Sequence, residues 1–203
     1  MDLFASPVEL GRVPLPGADV SYLPCFDLGL PPSEMMQALV DETPWRQEDV
    51  KMWGRTLRQP RLTAWYGDPG CAYRYSGISL EPLPWTERLS GMKARVEKLV
   101  GTRFNSVLLN HYRDQNDSMG MHSDDERELG PRPTIASISL GAERSFLLKS
   151  KVDPGAATVK LRLASGSLLL MKGDTQKNYK HGVAKESRVL GSRVNLTFRV
   201  IVA

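Results

Sequence analysis

The sequence predicts an α+β fold that is mainly β: a double-stranded β-helix, or jelly roll, with supporting helices and an N-terminal lid. Three observations carry this. After Gly101 the hydrophobic period changes from helical to two. From there to the C-terminus, seven or eight short alternating runs are separated by turn residues, the pattern of a closed or double-layered sheet that must protect its edges. Before Gly101 lie two helix signals with clear ends. One domain covers 1–203: an arm (1–32), helices and hairpins forming the lid (33–100), and the jelly-roll core (101–203).

In chain order, 1–32 is rich in Pro and Gly with little periodicity and reads as an arm laid over the domain. Pro31-Pro32-Ser33 opens a short helix, with Ser33 as N-cap, that runs to about Thr43, where Pro44 stops it. The stretch 45–77 mixes aromatic, basic and turn residues and reads as one or two hairpins with loops. Thr86 caps a second helix to Val100, with Leu89, Met92, Val96, Leu99 and Val100 on one face and Gly101 just past its end. The predicted strands are 105–113, 134–140, 145–149, 158–163, 167–172, 179–185 and 193–200.

Composition narrows the class. Of 203 residues, 41% are hydrophobic, enough for a sizeable core, and 25% are charged. No apolar run reaches the ~20 residues needed to span a bilayer, and the first 30 residues lack a signal-peptide pattern. Cys25 and Cys71 are the only cysteines and read as two ordinary thiols of a reduced compartment. The expectation is a soluble, cytoplasmic monomer. A net charge of +4 hints at a polyanion, with six basic against three acidic residues in 46–74 and seven against two in 172–199. A solvated surface would read the same way.

The chemistry sits in His122-Ser123-Asp124 and His181. Two imidazoles and one carboxylate can hold one face of an octahedral iron and leave the other open. Alone the H-x-D is weak: with three histidines and 23 acidic residues in this chain, chance produces one about one time in three. The last strand adds the sharper signal. Val194, Leu196, Phe198 and Val200 share one face; Arg193, Asn195, Thr197 and Arg199 share the other. That polar face either points outward or lines the barrel. If it lines the barrel, two interior guanidiniums need a bound dianion or carboxylates, since each would otherwise cost several kcal/mol. Asn110 and Tyr112, together on another strand, can add hydrogen bonds to the same anion, whereas His111 faces away and is set aside.

These residues carry a resemblance. Asn110-x-Tyr112, His122-x-Asp124-x-Glu126, His181, and Arg193-Val-Asn195-Leu-Thr197-Phe-Arg199, with the arginines 12 and 18 residues beyond His181, resemble the signature of the AlkB family. That family comprises iron(II)- and 2-oxoglutarate-dependent dioxygenases that oxidatively remove alkyl groups from nucleic-acid bases. The resemblance runs from about Met52 to the C-terminus. Through 122–128 and Gly141-Ala-x-Arg144-x-Phe146 it is closest to the branch repairing double-stranded DNA. Gln115 departs from a glycine and Ala184 from a proline often seen in the family; neither is a ligand position.

The resemblance implies that His122, Asp124 and His181 bind Fe(II), and that Asn110, Tyr112, Arg193, Asn195, Thr197 and Arg199 hold 2-oxoglutarate, with O2 as the oxidant. It implies demethylation of 1-methyladenine and 3-methylcytosine in alkylated DNA, with release of formaldehyde, succinate and CO2. It further implies a nucleotide-recognition lid in which Tyr73 and Tyr75 clamp a flipped base, Asp125 and Glu126 read its exocyclic groups, and Trp53-Gly54 forms a finger that fills the gap in the duplex. Arg55, Arg58 and Arg61 would contact phosphates. Trp45, Trp65 and Trp85 are read as core. The alternatives are the same chemistry on RNA, protein or a small molecule, or a non-catalytic jelly-roll binding module.

Overall fold

The computed structural model describes residues 9–52, 55–71, 73–75 and 78–202, and their side chains except at 50–52, 55, 73–75 and 78–80. Strands β1 (Gly11–Arg12) and β2 (Asp19–Leu23) precede helix α1 (Pro32–Glu42). Hairpins β3 (Asp49–Met52) with β4 (Arg55–Arg58), and β6 (Tyr73–Tyr75) with β7 (Ile78–Leu80), flank β5 (Leu62–Gly67). Helix α2 (Glu87–Val100) leads to β8 (Ser106–Tyr112), β9 (Met119–His122), β10 (Ile135–Gly141), β11 (Arg144–Ser150), β12 (Val159–Leu163) and β13 (Ser167–Lys172). The single-turn α3 (Thr175–Asn178), β14 (Tyr179–Val183) and β15 (Arg193–Arg199) complete the chain.

Two antiparallel sheets follow. The larger has the order β1-β2-β13-β10-β15-β8-β5, the smaller β12-β11-β14-β9. Except for the β11–β12 hairpin, each step from β8 to β15 crosses between sheets, which is the jelly-roll path. The alternation of β15 explains the layering. Its apolar face (Val194, Leu196, Phe198) packs with Met35 and Leu39 of α1 and Leu89, Met92 and Val96 of α2 in one core. A second core between the sheets joins Tyr112, Ile135, Phe146, Leu148, Met171 and Val183. All seven residues of β15 are buried, so its polar face lines the space between the sheets.

The helix ends behave as their residues dictate, with one correction. The Thr86 hydroxyl accepts the Leu89 N–H at 3.2 Å, and Gly101 ends α2 in the left-handed region at φ 74°, where a side chain would be strained. For α1, Pro31 rather than Ser33 is the N-cap and Pro32 begins the helix, with no side-chain capping bond. Proline suits the first helical position because it lacks the N–H that would go unbonded there.

Two strands differ from expectation. Within the arm, β2 pairs with β13 over Asp19–Leu23 and buries Val20 fully, so this part of the arm belongs to the sheet. Its period-two signal spans only five residues between proline and glycine turns. Strand β9 carries His122 and was hidden because Gly120 and the acidic run after it read as loop; it is an edge strand whose pairing with β14 shifts register between His181 and Val183. Among the described residues no helix is long and apolar enough to cross a membrane. Cys25 and Cys71 are both free thiols.

Candidate metal centre and anion pocket

His122 ends β9 and stands in register with His181 of β14, their ring centroids 4.3 Å apart. Asp124 follows in the coil beyond β9 and is buried. One ligand atom from each of the three lies within 4.8 Å of the others, and His122 Nε2 is 3.3 Å from Asp124 Oδ1. Two donors at right angles on a metal with bonds of about 2.1 Å would sit roughly 3 Å apart, so the spacing fits adjacent positions on one ion. The donor set of two imidazole nitrogens and one carboxylate suits iron(II).

The surroundings fix these ligands. His122 Nδ1 is 2.9 Å from the Gly120 carbonyl, which places the proton on Nδ1 and leaves Nε2 free to bind metal. The Asp124 N–H donates to Gln176 Oε1 at 3.0 Å, and Ser123 Oγ donates to the Tyr179 carbonyl at 2.9 Å, tying the ligand loop to α3 and β14. Phe146 stacks on His181 at 5.3 Å. Burial pushes the His181 imidazole down to about 3, so it is neutral, the form that ligates metal. Burial alone would raise the Asp124 carboxyl, but Arg199 and the two imidazoles outweigh it and hold the group well below the usual carboxylate range.

Beside the triad lies the polar face of β15. Register places Arg193 opposite Tyr112 and Asn195 opposite Asn110, so the two faces inferred separately from β8 and β15 line one pocket. The arginines differ in their surroundings. Arg199 Nη2 donates to Asp124 Oδ2 at 2.9 Å, belonging to the metal end. Arg193 Nη2 donates to Ser139 Oγ at 2.9 Å, while its Nε and Nη1 find no well-directed acceptor. The Tyr112 ring lies 5.1 Å from this guanidinium, and among the described residues no carboxylate lies within ion-pair distance of it. Burial disfavours the Arg193 charge; the Tyr112 phenol opposes that effect and Arg144 adds to it. An interior cation without a carboxylate partner, six residues along β15 from the Arg199 that meets Asp124, is what the far carboxylate of a keto diacid requires.

Other predicted residues fall out as follows. Thr197 Oγ1 donates to Asn195 Oδ1 at 3.1 Å, and Asn195 Nδ2 donates to Ser137 Oγ and the Ile138 carbonyl, both at 2.8 Å. Asn195 therefore orients Thr197 and has its own polar atoms engaged. Arg61 is a correction: it is buried, and its Nε donates to Asn110 Oδ1 at 2.8 Å, so it steadies the pocket and does not present its charge to phosphates. Arg58 is exposed, 3.9 Å from Asp49. Asp125 pairs with Lys151 Nζ at 3.2 Å, and Glu126 is half-buried with Oε2 unbonded. Tyr73 and Tyr75 are the ends of β6 and Arg55 begins β4, their side chains outside the described set; Trp53 and Gly54 lie outside the described residues.

His111 points away, 2.7 Å from Ser192 Oγ and against Trp45. Trp65 is buried, and Trp45 and Trp85 are partly buried against the helix-side core. Gln115 bridges to the 184–192 loop, receiving the Glu186 and Leu190 N–H groups. Ser137 and Ser139 of β10 and Gln176 of α3 support the site residues and carry no sequence pattern of their own. In the sequence Arg144 has no role beyond motif membership. Lys149 and Lys180, exposed and directly opposite each other on β11 and β14, were scattered in sequence and meet only in the sheet.

Known proteins resemble this chain over most of its length. The family model of the 2OG-Fe(II) oxygenase superfamily matches residues 32–199. The alpha-ketoglutarate-dependent dioxygenase alkB homolog 3 of Rattus norvegicus is 44% identical over 180 residues, covering 82% of this chain and 59% of its own length. The DNA oxidative demethylase ALKBH2 of Homo sapiens is 40% identical over 195 residues, covering 92% of this chain and 74% of its own. This chain thus spans about six tenths of the alkB homolog 3 relatives it matches. A solved structure of OsALKBH1 superposes with a TM-score of 0.64 at 18% identity, covering 95% of this chain and 100% of that one, a likeness of fold.

Proposed function

Since the chain belongs to the 2OG-Fe(II) oxygenase superfamily and, within it, to the AlkB family, we propose that it is a dioxygenase that demethylates 1-methyladenine and 3-methylcytosine in DNA. The observation that carries this reading is the His122/Asp124/His181 triad set beside the buried Arg193, which has no carboxylate partner among the described residues. Iron and 2-oxoglutarate bound there supply the oxygen activation that turns an N-methyl into a hydroxymethyl group, and this collapses to formaldehyde and the restored base.

The chain's own residues bind, orient and exclude water. Arg193 and Tyr112 grip the distal carboxylate of the keto acid. Arg199, tied to Asp124, presents positive charge at the metal end. Leu108, Met119, Phe146, Met171 and Val183 form the apolar wall that keeps water from the reacting carbon. A methyl on the base-pairing edge cannot reach this site inside a duplex, so the base is flipped out. Tyr73 and Tyr75 clamp it, Asp125 and Glu126 read its exocyclic groups, and the Trp53-Gly54 finger holds the vacated stack, giving a preference for duplex. Arg55 and Arg58 contact phosphates. The facing Lys149 and Lys180 support a polyanionic partner, because like charges directly opposite in a sheet are unfavourable until an anion bridges them. The protein works as a cytoplasmic monomer.

The test is a panel of oligonucleotides carrying 1-methyladenine or 3-methylcytosine, as single-stranded DNA, duplex DNA and RNA, incubated with Fe(II), 2-oxoglutarate and O2 and read by mass spectrometry. Loss of the methyl group with matching succinate is expected, fastest on duplex DNA. No turnover of either DNA lesion by iron-loaded protein would refute the proposal; turnover confined to RNA would reassign the substrate. W53A should lose activity on duplex more than on single strand.

A further inference from the structure

The first in-facing residue of β11 is an arginine buried to 1% exposure. Arg144 does not line the pocket. Its Nη1 donates to the Asp114 carbonyl at 3.0 Å, and its Nη2 donates to the carbonyls of Asp117 and Ala184 at 2.6 and 2.7 Å. Those oxygens belong to the loops that leave β8 and β14. They are neutral acceptors, and the one well-buried carboxylate nearby, Asp117, is engaged by Arg113 through two side-chain nitrogens at 2.8 and 2.9 Å. Among the described residues no carboxylate forms an ion pair with Arg144, and its Nε is unbonded. Its charge is thus bonded directly only by neutral carbonyls; the Glu186, Asp117 and Asp114 carboxylates favour it from a distance, and burial outweighs them.

Its neighbour is Tyr112. The Arg144 guanidinium carbon lies 5.6 Å from that ring, and the Arg193 guanidinium carbon lies 5.1 Å from the same ring. Two interior cations thus share one aromatic ring at cation–π range. Arg144 disfavours the Arg193 charge, and an anion beside Arg193 relieves that repulsion; the far carboxylate of 2-oxoglutarate is such an anion.

We propose that Arg144 is a positioning residue of the co-substrate pocket: it locks Tyr112 and adds a second positive charge behind Arg193, which makes the pocket select dicarboxylate over monocarboxylate keto acids. This rests on the keto-acid reading of the site. Arg144 acts through Tyr112 and Arg193 and touches neither metal nor substrate.

Calorimetry on the full chain loaded with Mn(II) tests it, with 2-oxoglutarate and with 2-oxobutyrate, which keeps the keto-acid head and lacks the distal carboxylate. Two neutral variants, R144Q and R144M, are used together with R144K; methionine's unbranched chain suits a buried slot. Wild type should bind 2-oxoglutarate far more tightly than 2-oxobutyrate. In R144Q or R144M the affinity for 2-oxoglutarate should fall at least tenfold, while that for 2-oxobutyrate changes less than threefold; R144K should keep most of the discrimination. Equal loss of both ligands, an unchanged ratio, or failure of both neutral variants to fold would assign Arg144 a purely structural role and overturn the proposal. Wild-type protein that binds Mn(II) but not 2-oxoglutarate would instead overturn the keto-acid reading itself.

Discussion

Asp124 shows how much a single side chain carries in this site. It offers a metal ligand, neutralises buried Arg199, and receives orientation from Gln176 through its own backbone N–H. Removing it should therefore cost more than metal affinity. D124A should lose metal binding and destabilise the metal-free protein by about 3–5 kcal/mol, the usual result of removing one partner of a buried ion pair, as urea unfolding would report. A metal-free D124A as stable as wild type would mean that Arg199 finds another anion. Much of this residue-level picture was legible. His122, Asp124 and His181 were named by pattern, and the arginines by alternation and spacing. Arg61 differs from expectation because it follows Arg55 and Arg58 at three-residue intervals, and nothing local reveals that its side chain turns inward to Asn110.

Elements place those residues, and the strength of the β15 signal is a matter of geometry. A strand with a core on one side and a polar cavity on the other must alternate strictly, so its faces could be read directly. Strand β9 and the 113–118 loop had no such constraint and stayed hidden. That loop is held by Asp117, which accepts from the Arg113 N–H, Nε and Nη2 at 2.8 to 2.9 Å. Burial opposes the Asp117 charge, but the Arg113 bonds outweigh it and hold the carboxyl below its ordinary 3.8. A depressed carboxyl adds stability that is complete well above the unfolded value and lost as pH falls through the folded one. D117N should thus cost about 1–2 kcal/mol near neutrality, limited by the half-exposed Arg113, and its stability curve should fall less steeply than wild type below about pH 4. Parallel curves for the two proteins would show that Asp117 is not the titrating group. On the helix side of the larger sheet, T86A should cost about 1 kcal/mol by removing the α2 cap, with no change in 2-oxoglutarate affinity.

At the scale of the whole molecule, the layering divides labour: helices and one sheet face make a dry core, and the opposite sheet face, closed by the smaller sheet, makes the site. The jelly roll was legible because short alternating runs separated by turns have few other closed solutions. The arm's entry into the sheet was not, since five residues give too short a period to read. Neither was the meeting of Lys149 with Lys180, which depends on strand pairing alone. If that pair meets phosphates, K149Q/K180Q should weaken DNA binding with little dependence on sequence and lower the slope of log affinity against log salt by up to about 2; an unchanged slope would move the nucleic-acid path elsewhere. The claim beneath all of this is that the triad and Arg193 form a single site for iron and a keto acid. Anaerobic titration of the metal-free protein with Fe(II) and 2-oxoglutarate, followed by visible absorption, tests it most directly. The expected result is a charge-transfer band that needs both additions, saturates at one equivalent of each, and is absent in D124A. A band that persists in D124A, or none in wild type, would contradict it.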